Sequence, residues 1–158
     1  MHDMLVRLYA LPSLDEAVAA CTARGVTTRR ALAPERHAVL DWVGAHFASS
    51  AAEVEAAFAQ VPVNCFIAVR DGAVLGFACY DVTCRNYFGP EGVAIGERGH
   101  GIGRALLLAA LHAQRAQGYA YAIIGGVGPA GFYAKTVGAV AIADSTPGIY
   151  STLLTKNR

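Results

Sequence analysis

The sequence predicts one mixed α/β domain, and three observations point there. Apolar residues recur at helical spacing in segments up to Phe58. An Asp-Gly pair at 71–72 joins two apolar, β-branched runs, and a glycine-rich loop at 96–103 separates a strand-like run from a long apolar helix. A chain of 158 residues fits a single domain with a core of its own. Its hydrophobic share is 54% and its charged share 16%, below the usual charged share of about 25%, so few charges are left to define a site.

Taken in order, "MLVRLYAL" is a short apolar strand, and Ser13-x-x-Glu16 is a capping box opening a helix that Gly25 stops. "VTTRRAL" alternates and is β-branched, hence a strand; Pro34 then opens a helix carrying Val39, Leu40, Trp42, Val43 and Phe47. Ser50-x-x-Glu53 is a second capping box, and its helix ends before Pro62. "NCFIAVR", Asp71-Gly72 and "AVLGFACYDVT" form a hairpin, because Asp-Gly readily supplies the positive φ angles of a tight turn. "CRNY" turns the chain into the strand "FGPEGVAI", and "GERGHGIG" leads into the helix "RALLLAALHAQRAQ". That helix is apolar around most of its circumference and should lie buried against a sheet. After Gly118 come the strand "YAYAII", the short helix "FYAKTV" and two closing strands, "AVAIAD" and "IYSTLLT", around Thr146-Pro147-Gly148.

Composition also excludes function classes. The net charge is +1 and the basic residues are scattered, which gives no footprint for nucleic acid. Cys21, Cys65, Cys79 and Cys84 form no C-x-x-C pair, and the five histidines no metal-ligand spacing, so no metal site is expected. Asp3 and Arg7 interrupt the apolar stretch that a signal peptide would need, and no run reaches the roughly 18 apolar residues of a membrane span. The expectation is a cytoplasmic protein with reduced thiols, no membrane partner, and homodimer formation left open.

Two glycine motifs compete for a phosphate. Gly126-x-Gly128-x-x-Gly131 follows a strand and has the dinucleotide-binding spacing, with Asp144 as an acidic residue downstream. Only 27 residues follow Gly131, too few for the remaining strands and helices of a dinucleotide fold. The earlier loop, Arg98-Gly99-His100-Gly101-Ile102-Gly103-Arg104, lies where a strand enters a long helix. There the unpaired amides and the helix dipole favour an anion, and two arginines add positive charge. It lacks the Lys-Ser/Thr of a nucleoside triphosphate loop, so magnesium is not implied.

R-x-x-G-x-G at a strand-to-helix junction resembles the acyl-CoA pyrophosphate loop of the GNAT superfamily of N-acetyltransferases. "FGPEGVAIGERGHGIGRALL" is similar to that family's fourth strand, loop and third helix, and "FYAKTVGA" to its short helix with an aromatic-Tyr pair. The resemblance is specific over residues 63–150, and residues 1–25 read as an added N-terminal strand and helix on a central mixed sheet flanked by helices. It implies one domain over residues 1–158 that acetylates a small amine from acetyl-CoA.

It also implies roles for particular residues. The backbone of Glu91, Gly92 and Val93 would pair with pantetheine like a further strand, and Arg98, Gly99, His100, Gly101, Ile102, Gly103 and Arg104 would hold the pyrophosphate. Tyr133 matches the tyrosine that protonates the leaving thiolate, and its ordinary pKa of about 10 keeps it protonated at neutral pH. Two positions depart from the family pattern: Gly126 stands where many relatives have asparagine, and Tyr87 where histone-type relatives have a glutamate base. The base is unassigned, with water, Glu91 or an already neutral amine as alternatives. A binding module without turnover is the second reading and a dinucleotide oxidoreductase the third. The acceptor pocket is expected from residues 34–59, "CRNYF" and "STPGIY", with Glu35, Asp41, Asp81 and Asp144 as candidate acids.

Overall fold

The computed structural model describes residues 1–154. The strands are β1 (Met4–Arg7), β2 (Thr27–Arg30), β3 (Cys65–Arg70), β4 (Ala73–Tyr80), β5 (Tyr87–Val93), β6 (Tyr121–Ile124) and β7 (Val140–Ala141). The helices are α1 (Leu14–Thr22), α2 (Arg36–His46), α3 (Ala51–Phe58), α4 (Ile102–Ala116) and α5 (Ala130–Val137). All seven strands form one mixed sheet in the order β2-β3-β4-β5-β6-β1-β7.

Each face of the sheet has its own core. On one face α2 and α3 pack Val39, Val43, Val54 and Ala57 over Ile67, Phe77 and Cys79. On the other, α4 lays Leu106, Leu107, Leu108 and Leu111 against the sheet, with α1 and α5 beside it. Central strand β4 is buried along most of its length because both faces are covered, which accounts for its continuous apolar run. The β3–β4 turn has Asp71 at φ 51° and Gly72 at φ 75°, the two positive angles expected of an Asp-Gly hairpin.

The site is created by a departure from regular pairing. Glu91 of β5 faces Ala78 of β4, whereas Phe88 faces Tyr80, so β5 spends three steps where β4 spends two. That extra residue is a β-bulge, which bends the strand and reverses the alternation of its side chains. Beyond the bulge β5 leaves its other neighbour. It pairs in parallel with β6 only at Tyr87–Ile123 and Phe88–Ile124. Among the described residues no strand covers Gly89–Val93 on that side.

The added N-terminal strand takes a place inside the sheet, with β1 antiparallel to β6 on one side and to β7 on the other. Val6 and Leu8 are fully buried as a result. Three sequence expectations need correction. The closing strands are reduced to Val140–Ala141, and Gly148–Tyr150 forms a 3-10 turn where the second was expected; its last residue, Thr155, lies outside the described residues. β7 pairs through only two residues, too short an edge to template another strand. The helix expected from Pro34 begins as a 3-10 turn over Ala33–Glu35 and becomes α-helical at Arg36.

The third correction concerns caps. Ser13 Oγ accepts from the Glu16 amide at 3.3 Å. Ser50 makes no such bond at the start of α3, and the Glu53 carboxylate instead accepts from the Thr83 hydroxyl.

Candidate active site

Beside the stretch of β5 that β6 leaves uncovered, a cavity of about 640 Å3 opens between the strand, the loop into α4 and the start of α5. Its polar wall comes from the loop into α4. Gly101 caps that helix at φ 88°, a conformation a side chain would strain. The hydrogen-bond ladder of α4 starts with the Ala105 amide bonded to Gly101 O, so the amides of Ile102, Gly103 and Arg104 project from the helix end. Arg98 and Arg104 border the same space, and Arg98 Nε also donates to Val93 O at 3.0 Å, tying the loop to the strand. The apolar wall is Phe47, Pro129 and Phe132, with Phe47 packed directly on Gly92.

Glu91, Gly92, Val93, Arg98, Gly99, Gly101, Gly103, Arg104 and Tyr133 all line this cavity. His100 and Ile102 do not. They border a smaller cavity of about 160 Å3 behind the loop, with Cys21, Arg24 and Glu97; His100 is exposed and Ile102 is core. These two therefore belong to the loop through their backbone.

Glu91 is the unexpected member. The bulge turns its side chain toward α4 and α5, where Tyr133 Oη donates to Glu91 Oε2 at 3.3 Å. The other carboxylate oxygen, Oε1, is buried and has no partner. Burial pushes the Glu91 carboxyl up to about 8, against a smaller opposing effect of the tyrosine hydrogen bond. Burial, followed by the neighbouring Glu91 carboxyl, also raises the Tyr133 hydroxyl well above its ordinary value. Sequence reasoning placed the Glu91 backbone here and left its side chain as one of three alternatives for the base, because the side-chain direction depends on a bulge no local motif announces.

A second cavity, of about 400 Å3, lies against the preceding residues of β5. Phe88, Gly89 and Pro90 separate it from the first, and Gly125, Gly126, Pro147 and Tyr150 complete its walls. A Cβ at Gly125 would fall 2.6 Å from Tyr150 Oη and 2.9 Å from the Tyr87 ring, so this close approach needs glycine. Glu53 is the carboxylate that lines it, held by Thr83. The four acids proposed from sequence are elsewhere. Glu35 pairs with Arg29, Asp81 accepts from the Asn86 amide and from Gln114, Asp41 is exposed, and Asp144 sits in a turn at φ 54°. Glu53 escaped notice because its spacing from Ser50 imitates a cap. Tyr87, at the position of the missing base, lines this cavity too.

The competing glycine motif forms no cradle. The Gly126 amide donates to Asp3 Oδ1 at 2.8 Å, so a pyrophosphate there would meet a carboxylate. The turn leads into α5, which has two turns and Pro129 as its cap.

No protein-family model matches the chain, and no curated protein matches it by sequence. Solved structures do match by shape. The GCN5-related glucosamine N-acetyltransferase region of a fungal multi-domain GH3 β-N-acetylglucosaminidase superposes with a TM-score of 0.73 and 15% identity, over 89% of this chain and 19% of that one. A GCN5-related N-acetyltransferase from Sphaerobacter thermophilus gives 0.64 and 19% identity, over 89% of this chain and 48% of that one. A protein of unknown function from Staphylococcus epidermidis gives 0.57 and 16% identity, over 89% and 57%. The chain thus spans a fifth to rather more than half of these neighbours' lengths. Its fold is that of the GCN5-related N-acetyltransferases.

Proposed function

We propose that the chain is an N-acetyltransferase that moves an acetyl group from acetyl-CoA to a small amine. The observation that carries this reading is the parting of β5 from β6, which leaves an open strand edge between two cavities. The residues fit the cosubstrate. The edge of β5 over Gly89–Val93, which β6 leaves uncovered, suits a chain of amides, the amides at the α4 end suit a pyrophosphate, and the orphaned Glu91 Oε1 awaits a polar partner. Acetyl-CoA supplies an activated thioester. The protein's part is to hold it beside the amine, to offer a backbone N–H where negative charge develops on oxygen, and to deliver a proton to the thiolate.

The acceptor belongs in the 400 Å3 cavity, with the Glu53 carboxylate as counter-ion and the Tyr87 and Tyr150 rings as apolar walls. A neighbour that acts on glucosamine makes amino sugars one class for trial. Calorimetry with acetyl-CoA, followed by thiol release against a panel of amino sugars, polyamines and arylalkylamines, tests the proposal. Binding with amine-dependent thiol release is expected. Binding without release for every amine would favour the non-catalytic module, and no binding at all would refute both.

A further inference from the structure

The contact between Tyr133 and Glu91 bears on how the thiolate receives its proton, given the acetyl transfer proposed above. Tyr133 is 8% exposed and Glu91 Oε1 is buried without a partner. A tyrosine that gave up its proton here would become a buried anion beside a carboxyl group. The Tyr133 hydroxyl is already harder to ionise than an ordinary phenol for that reason. On its own it is a poor match for an alkyl thiolate, whose conjugate acid is more acidic than this buried phenol.

We propose that Glu91 and Tyr133 form a two-member proton relay, in which Tyr133 passes its hydroxyl proton to the departing thiolate while the Glu91 carboxyl replaces it. One O–H bond breaks at Tyr133 and one S–H bond forms. For this the Tyr133 hydroxyl turns from Glu91 Oε2 to the sulfur and the protonated Glu91 Oε2 becomes the donor across the same 3.3 Å contact; its O–H bond breaks as a new one forms at Tyr133 Oη. Tyrosine ends neutral, and the negative charge comes to rest on Glu91. The proton lost by the attacking amine balances the one gained by sulfur, so protonating Glu91 from solvent resets the pair without a further reactant.

The energetics favour this division. Glu91 releases its proton at about 8, no higher than an ordinary thiol, so the overall transfer is not uphill, whereas a tyrosinate would lie uphill. Other charged groups facing this cavity are Arg98 and Arg104 from the loop and α4. Glu91 is thus a positioning residue acting through Tyr133. The bulge that reverses side-chain alternation in β5 is what brings it there.

The test uses single-turnover thiol release from acetyl-CoA with hydroxylamine, a nucleophile that is neutral over the alkaline part of the range, where the relay makes its prediction, and needs no native acceptor subsite. Rates are taken from pH 6.5 to 9.5 with the uncatalysed background subtracted. The wild-type rate should fall as pH rises through about 8, where Glu91 loses the proton it supplies. Glu91→Gln should slow release about a hundredfold and abolish that alkaline fall. Tyr133→Phe should slow it similarly, and the double variant should be no slower than Tyr133→Phe alone, since the two act as one unit.

A readout without turnover accompanies it: NMR titration of carboxyl-labelled glutamate in the free protein, with Glu91 assigned by its absence in Glu91→Gln. Protonated Glu91 at pH 7 is expected, and its titration should move upward in Tyr133→Phe, which removes the hydrogen bond. A wild-type pH profile retained by folded Glu91→Gln, or Glu91 titrating near 4, overturns the relay and leaves the acetyltransferase reading standing. Absence of hydroxylamine-dependent release from wild-type protein that binds acetyl-CoA would overturn both.

Discussion

At the residue scale, two carboxyl groups have been driven in opposite directions, and each makes a pH prediction. Glu91 is raised to about 8 by burial, so between roughly pH 4.5 and 8 the folded chain holds a proton that the unfolded chain has lost. Its contribution to stability is complete below that window and declines as pH rises through it, by up to about 1.4 kcal/mol per pH unit. Urea unfolding of the free protein at pH 5, 6, 7 and 8 should show this decline, and Glu91→Gln should flatten it. Glu35 is lowered to about 2 by its hydrogen bond to Arg29, so its contribution is present above ordinary carboxylate pKa values and is lost as pH falls toward 2. Glu35→Gln should therefore lower stability by a constant amount across the neutral range, and unfolding extended down to pH 2 should show that this difference from wild type shrinks as the acid limb is descended. The sequence disclosed neither shift. Glu91 was visible as a strand residue and Glu35 as a surface acid, but a pKa is set by neighbours brought from elsewhere in the chain.

At the scale of elements, the loop into α4 was the most legible feature of the molecule. A strand, three closely spaced glycines and an apolar helix specify their own geometry, since the positive φ at Gly101 and the free amides beyond it follow from local sequence. Gly101→Val should weaken acetyl-CoA binding by about tenfold or more, equivalent to about 1.4 kcal/mol, because a β-branched residue resists that φ and its methyls enter the anion site. Gly96→Ala is the control. Gly96 lies outside the cavity lining, and a Cβ there meets nothing within 4 Å. Calorimetry on both variants decides the matter, and equal affinities would place the phosphates elsewhere. The second cavity was less legible. Its walls come from α3, the turn before β5 and the turn before Tyr150, and only the fold brings Glu53 to Tyr87 and Tyr150.

At the scale of the whole molecule, the sheet is closed by its first strand. The run "MLVRLYAL" announced a strand but not its neighbours, because β pairing across more than a hundred residues leaves no local trace. Seated between β6 and β7, β1 carries Asp3 to the Gly126 amide and so steadies the turn that enters the candidate site. Leu8, just beyond β1, is fully buried in the larger core. Leu8→Ala should cost about 3 kcal/mol. At about 2–4 °C per kcal/mol in a domain of this size, the melting temperature should fall by about 6–12 °C. Leu154→Ala, at a residue 96% exposed, should leave it unmoved. A calorimetric scan of the two variants checks both statements.

The position of β1 also sets a timetable for biosynthesis. Met4 pairs with Ile124, 120 residues further along the chain. At about 5–20 residues per second, the first strand has been made roughly 6–24 s before its partner exists. Throughout that interval an apolar, β-prone segment must stay unpaired beside the growing nascent chain, open to association with other chains or with a chaperone. The turn that Asp3 fastens at Gly126 is therefore secured only after β6 has been made, so a ribosome-bound intermediate can carry a formed glycine loop and still lack the finished cleft beside it.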